Sequence, residues 1–447
     1  MGTAKSSSLP PGPRMPKALQ TLGWWTRPTA FIDRCRARYG RRFTIRMLAM
    51  KPFVLISDPD EIKQIFTAPA DVLHPGEGAR ILEPIIGANS VILLDEARHM
   101  QQKKLVLPAF RGKRMEALSE VVAEVAVEEI ESWPRDRTLP LHPRLQSLTM
   151  EVILAVIFGL RTGERLEQLR AALTEMLEFG LSPLSLMPPA QRAPFGRGPW
   201  ARFVKARGRA DELIYAEIAE RREHGVEHGG NEMIATLLGA EHEDGTAMSD
   251  LEVRDELMTL LVAGHETTAT ELAWAVERLA REPEVLSTLV AAVDDDDDEP
   301  YLTAVIRETL RHRPVLTSAA PRSVKKPIEI GGVSYAPGVD LLASAWLVHH
   351  DPDIYPEPYA FRPERFLDSE PGTYTWIPFG GGRRRCIGAS FAMLEMAIVL
   401  RELLRRVEIR GDEAPELAIR RAITVTPGRG AEAALRERAV DQVPSGA

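Results

Sequence analysis

Trp376-Ile377-Pro378-Phe379-Gly380-Gly381-Gly382-Arg383-Arg384-Arg385-Cys386-Ile387-Gly388-Ala389-Ser390-Phe391 sets one cysteine behind three glycines and three arginines. The glycines can take backbone angles closed to other residues and let the main chain approach another group closely. From Phe391 through Met393, Leu394 and Met396 to Leu404, apolar spacing predicts a helix. Cys386 then lies near that helix's N-terminus, where free N–H groups and the positive end of the dipole face its sulfur. Arg383, Arg384 and Arg385 add positive charge, so the thiol is expected to ionise easily. The loop reads as a holder for a thiolate.

A structural zinc would need about four ligands. The chain has only Cys35 and Cys386, and the nearest preceding histidines are His349 and His350. A nucleophile would want a base close by, and none is local. A haem iron needs one protein ligand, because the porphyrin supplies nitrogens. A Gly/Arg surface loop with an incidental cysteine is the plainer alternative. The pattern Phe-x-x-Gly-x-Arg-x-Cys-x-Gly, at Phe379, Gly382, Arg384, Cys386 and Gly388, resembles the haem-thiolate signature of the cytochrome P-450 superfamily. That resemblance implies haem b with Cys386 as axial thiolate ligand of the iron, and Phe379, Gly380, Arg384 and Gly388 as cofactor contacts.

The second decisive stretch is Leu260-Leu-Val-Ala-Gly-His-Glu-Thr-Thr-Ala269, in the middle of a long periodic segment. Ser249-x-x-Glu252 reads as a capping box opening that helix, which runs to about Arg281. A glycine and a carboxylate inside a buried helix are costly, and such local violations point to a working site. Thr267 can bond back to the carbonyl of Ala263. The run Ala263-Gly-x-Glu-Thr-Thr268 is similar to the family's acid–alcohol pattern. By that resemblance Ala263 and Gly264 leave room over a flat macrocycle, while Thr267 and Glu266 are the catalytic pair that manages proton delivery.

His99 and Lys103 share one helix face. Relatives place a Trp or His there, followed four residues on by an Arg, and both reach a haem propionate. His99 fits. Lys103 departs, offering a point charge rather than a bidentate fork, and alone the pair would read as a solvated face. Arg322 falls where relatives carry a propionate arginine, with Arg384 as the second. Glu308 and Arg311 lie three apart, and Pro356-Glu-Pro-Tyr-Ala-Phe-Arg-Pro-Glu-Arg-Phe366 resembles the family segment whose arginine, here Arg365, closes a buried charge network with them. Its role is structural.

Length and composition agree with this. At 447 residues, 44% hydrophobic and 27% charged, the chain can bury a large core, and its net charge of −8 argues against a general nucleic-acid binder. Two distant cysteines give no disulfide framework. No run approaches the ~18 apolar residues of a membrane span, and the first residues lack a signal-peptide core. A cytoplasmic, soluble monomer is the expectation, folded as one unit over 1–447 with a flexible proline-rich segment at 1–20. The fold class expected is mainly α with a smaller β-rich region, the haem-thiolate fold that the resemblance implies. Strands are expected over Arg42 to Met47 and Pro52 to Ser57, followed by a helix capped by Asp58 with Pro59 in its first turn. The apolar, proline-broken connector Leu181 to Gly198 reads as a lid or as a loop tucked onto the core.

The function implied is a monooxygenase placing one oxygen atom of O2 into a lipophilic small molecule. Electrons are expected from outside, because this length leaves no room for a fused redox domain. Arg383, Arg385, Lys104, Arg111, Lys113 and Arg114 are expected to form a basic face for a ferredoxin or flavodoxin-type donor with its reductase. A peroxide-driven peroxygenase and a non-catalytic haem or gas sensor are the rival readings. Both are disfavoured by the intact Glu266-Thr267 pair.

Overall fold

A computed structural model of the protein describes residues 9–180, 197–224, 232–295, 299–411 and 414–438. The expected lid at 181–198 therefore lies almost wholly outside the described residues, as does the side chain of Lys113.

The helix that organises the rest is Asp250–Leu279, opened by the capping box: Ser249 accepts from the Glu252 N–H, and Glu252 reaches back to the Ser249 N–H. Thirty residues of α-helix span about 45 Å, so this element crosses the molecule, and nearly all of its residues are buried. Helices His142–Phe158, Pro199–His224 and Ala389–Arg406 pack around it in the main apolar core. His142–Phe158 is apolar on almost every side because it is itself enclosed.

The β-rich region is a five-stranded sheet in the order Arg42–Ile45, Phe53–Ile56, Asp340–Ala343, Arg322–Val324, Leu73–His74. Only Phe53–Ile56 and Asp340–Ala343 pair in parallel. This sheet draws Arg322, far along the chain, beside the N-terminal region. Asp58 caps the helix Pro59–Thr67 as its sequence predicts, and Gly331 and Gly332 turn the hairpin Ile328–Ile330/Val333–Tyr335 at positive φ. Within the proline-rich segment expected to be flexible, Pro10 and Pro11 are tied down: their carbonyls accept from the hydroxyl and N–H of Thr44. Among the described residues no helix is long and apolar enough to cross a membrane.

Candidate functional site: a thiol and a cation cluster

The cysteine loop is held by its own backbone. The Cys386 N–H donates to the Phe379 carbonyl at 3.0 Å, closing the glycine run into a tight arch that includes a 3-10 turn at Gly382–Arg384. A Cβ at Gly381 or Gly382 would run into Phe66, and Gly382 sits at φ +63°, so glycine is needed here for both space and conformation. The helix itself begins at Ala389 with Gly388 as its N-cap, so Cys386 precedes its first turn.

The thiol does not ionise easily, contrary to the sequence expectation. Burial raises its pKa, and the backbone N–H of Gly388 with Arg385 and Lys103 only partly offsets this. The three arginines do not converge on the sulfur. Arg383 and Arg385 face outward, and Arg384 turns to Asp95 at 2.7 Å and to the carbonyls of Val91 and Leu94. Cys386 is nevertheless exposed by area. The sulfur is crowded by protein and still keeps open surface. The sulfur there would become a thiolate on meeting a metal cation, which supplies the charge the protein withholds.

The central helix presents small groups to an opening in the core. Ala263 is exposed and Thr267 half-buried, amid buried neighbours. The Thr267 hydroxyl donates to the Ala263 carbonyl at 2.6 Å. Beside it in sequence, a Cβ at Gly264 would sit 2.8 Å from Ile153 of helix His142–Phe158. One residue beyond Thr267, Thr268 hydrogen-bonds the buried Glu395 of the cysteine helix, whose carboxyl burial pushes up to about 8. That contact ties the helix bearing the acid–alcohol pair to the helix that follows Cys386. The stretch around Val315 and the strand Thr424–Pro427 are joined by the Val425 N–H to the Val315 carbonyl at 2.8 Å.

His99, Lys103, Arg322 and Arg384 gather in one place. His99 is buried and its pKa falls to about 3, through burial first and then through Arg384, Lys103 and Arg322, so it is a neutral hydrogen-bonding group. Lys103 donates to the Arg383 carbonyl at 2.7 Å. Burial and mutual repulsion hold Arg322 at about 9, and burial holds Arg384 at about 10. Asp95 is the acid that faces them, and it is shared with the N–H groups of Gly76 and Glu77. A buried set of cations this short of carboxylates is costly alone and fits a ligand bearing two carboxylates, as a porphyrin does. Asp95 escaped the sequence reading, though its spacing before His99 and Lys103 on one face was a usable signal.

The charge network forms around Glu308 and Arg311, neither of which exposes any side-chain surface. Arg311 donates from Nε and Nη2 to the two Glu308 oxygens at 2.6 and 2.7 Å. Arg365 approaches Glu308 at 3.5 Å and donates to the Glu357 carbonyl at 2.8 Å. Arg311 also donates to the carbonyls of His349, Pro358 and Ala360. His349 in turn accepts from the Ile377 N–H at 2.8 Å, just before the cysteine arch. His349 was considered in the sequence only as a zinc ligand, and nothing in its local pattern marks this role.

Of the expected basic face, Lys104, Arg111, Arg383 and Arg385 are exposed and Arg114 is half-buried, with Lys104 beside the equally exposed Glu243 at 2.7 Å. Among the described residues no group of three or more His, Cys, Asp and Glu could hold a metal ion.

A family model described as "Cytochrome P450" matches residues 7–430. The chain is 37% identical over 445 residues to cytochrome P450 135B1 of Mycobacterium tuberculosis, covering 98% of this chain and 93% of the relative. It is 36% identical over 436 residues to cytochrome P450 135A1 of the same species, covering 96% of each. A solved structure, retinoic acid bound cyanobacterial CYP120A1, superposes with a TM-score of 0.82 at 21% identity, over 97% of this chain and 100% of that one.

Proposed function

The chain belongs to the cytochrome P450 family, a family of haem-thiolate monooxygenases, and on that premise we propose that it hydroxylates or epoxidises a lipophilic small molecule with electrons from a separate donor. The observation that carries this is the enclosed yet open Cys386 thiol, with a carboxylate-poor cluster of His99, Lys103, Arg322 and Arg384 in the same fold. Bound there, haem b supplies dioxygen activation, and electron density from the thiolate favours O–O cleavage.

The protein's own residues do the rest. Cys386 would hold the haem iron through its sulfur, with Phe379, Gly380 and Gly388 shaping the arch around it. His99, Lys103, Arg322 and Arg384 would hold the haem carboxylates, Arg322 and Arg384 as forks and Lys103 as a point charge. Ala263 leaves room for dioxygen and substrate. Thr267 breaks its bond to the Ala263 carbonyl, turns its hydroxyl into the cavity and orients a water there. Glu266, whose carboxyl burial raises, stores a proton and gives it up toward Thr267. Glu308, Arg311 and Arg365 fix the segment beneath the arch. A cytoplasmic monomer is the form in which the protein would work.

The test follows the oxygen. With a lipophilic substrate, a reductase and a ferredoxin, isotopically labelled dioxygen should place one labelled atom in the product. Label arriving only from added peroxide would favour the peroxygenase reading. In Thr267→Ala, oxygen uptake should continue while product falls roughly tenfold or more and peroxide replaces it, since positioned proton transfer contributes about 10²–10⁴-fold.

The donor is proposed to be an acidic ferredoxin or flavodoxin-type protein docking on Arg111, Arg383 and Arg385, all exposed. Reversing charge in Arg111→Glu and Arg385→Glu should slow reduction several-fold at low salt. The difference from wild type should shrink as ionic strength rises, because exposed charges are screened beyond about 8 Å at physiological salt. Equal stopped-flow rates at low salt would remove this face from consideration.

A further inference from the structure

Glu271 follows Thr267 by one turn on the central helix, 3% exposed and unused by the chemistry above. Its Oε1 accepts from the Val315 N–H at 2.6 Å, and its Oε2 is buried without a hydrogen bond. Burial raises its pKa well above the carboxylate range, and the Val315 N–H only partly offsets this. A carboxyl so enclosed is held in its neutral form. Val315 stands directly after Pro314, at the start of a segment without regular structure. Its N–H therefore takes a side-chain acceptor in place of a helical or sheet one.

That bond is the first of a connected set. The Val315 carbonyl accepts from the Val425 N–H at 2.8 Å, and the Val425 carbonyl accepts from Trp274 Nε1 at 2.9 Å. Glu271 and Trp274 lie three apart on one helix face, so the central helix holds both ends. Clamped between them are the segment from Val315 and the strand Thr424–Pro427, which pairs with Ala418–Arg421. Arg420 fastens the same two pieces a second time. It donates to the Thr317 hydroxyl at 3.2 Å and to the Ile423 carbonyl at 3.4 Å.

The clamped segment borders the site. It starts on the central helix at Val315 and ends at Arg322 in the cation cluster. On the way Ala319 lies against the cysteine arch, 3.8 Å from where a Cβ at Gly380 would stand. Val315, Thr317 and Val425 are buried, whereas Leu316 is half-buried and Ile423 is 39% exposed, so these two carry open apolar surface. We propose that Glu271 and Trp274 are positioning residues for substrate choice: they set how far Leu316 and Ile423 reach toward the opening at Ala263 and Thr267, and thereby which apolar shapes bind. Removing the Glu271 acceptor strands a buried N–H, and the segment must shift to satisfy it. This inference rests on the reading of the site as a haem pocket for a lipophilic molecule.

The experiment titrates the ferric holoenzyme with imidazole and with 4-phenylimidazole, read by the shift of the Soret band. Both bring a ring nitrogen to iron, but only the second carries a phenyl group that must lie against the substrate-side wall. In Glu271→Leu, 4-phenylimidazole should bind roughly fivefold or more weakly while imidazole stays within about twofold of wild type. Glu271→Gln, which keeps a carbonyl oxygen for the Val315 N–H, should restore the wild-type ratio of the two Kd values. Trp274→Phe, which drops the bond to Val425 and keeps an aromatic ring, should move the ratio in the same direction as Glu271→Leu. Deuterium exchange over residues 315–320 should quicken several-fold in Glu271→Leu and stay at the wild-type rate in Glu271→Gln. If Glu271→Leu takes up no haem, the ratio in Trp274→Phe decides. A wild-type ratio in Trp274→Phe, or a Glu271→Gln that behaves like Glu271→Leu, would overturn this inference alone. No Soret shift with imidazole in the wild type would sink the haem reading and the inference with it.

Discussion

Replacing Cys386 with alanine should abolish the strongly red-shifted Soret band of the reduced, carbon-monoxide-bound protein, and with it all measurable oxygenation. The wild-type band depends on a thiolate ligand to iron, and the other cysteine, Cys35, is buried in a separate core cluster with its pKa pushed up to about 11. The alanine variant should still fold, since the arch is held by the Cys386 N–H to the Phe379 carbonyl, which alanine retains. Its far-ultraviolet circular dichroism should therefore match the wild type. Because burial keeps the free thiol protonated, haem uptake must release that proton. Uptake by the haem-free protein should thus tighten as pH rises toward the thiol's raised pKa, and a pH-stat or a dye should register about one proton per site. A red-shifted band persisting in the alanine variant would exclude Cys386 as the ligand.

The second large effect is expected at Arg311, far from any chemistry. Arg311→Ala removes the bidentate pair to Glu308 and the bonds to three backbone carbonyls. It leaves a fully buried carboxylate with the Arg362 N–H at 2.8 Å and Arg365 at 3.5 Å. Breaking a buried pair in this way costs about 3–5 kcal/mol, against a total stability of about 5–15 kcal/mol for a typical domain. The variant should be recovered with little or no haem, and its thermal midpoint should fall by several degrees or more. Arg311→Lys should recover little, because a single ammonium cannot replace the planar fork. Undiminished haem content with an unchanged melting temperature would mean that the network is not what fixes the segment under the cysteine arch.

The site was unevenly legible in the sequence. Cys386, Thr267 and the capping box at Ser249 follow from local rules: glycine conformations, a helix end, an alcohol set one turn after a small residue. The ionisation of Cys386 was misread because helix-end geometry and neighbouring arginines are visible along the chain, whereas desolvation depends on what packs over the sulfur. Gly264 is legible only in part for a related reason. Its size is legible, but the side on which Ile153 meets it is not. Lys104 is exposed as expected, but its surface partner Glu243, 139 residues away, was not legible.

By itself, the chain's order of residues determined the cysteine-bearing arch, the long capped helix with its acid–alcohol pair, and the Glu308–Arg311 spacing, because each is set by contacts within a few turns of backbone. Only the tertiary structure decided which groups face one another across long separations. It put Asp95 beside Arg384 in the cation cluster, His349 between Arg311 and Ile377, and Gln146 and Arg421 on Glu266. The physical reason is that burial and partner choice are properties of the closed core. A carboxylate 155 residues from an arginine acquires that partner only once a helix and a hairpin have packed against each other.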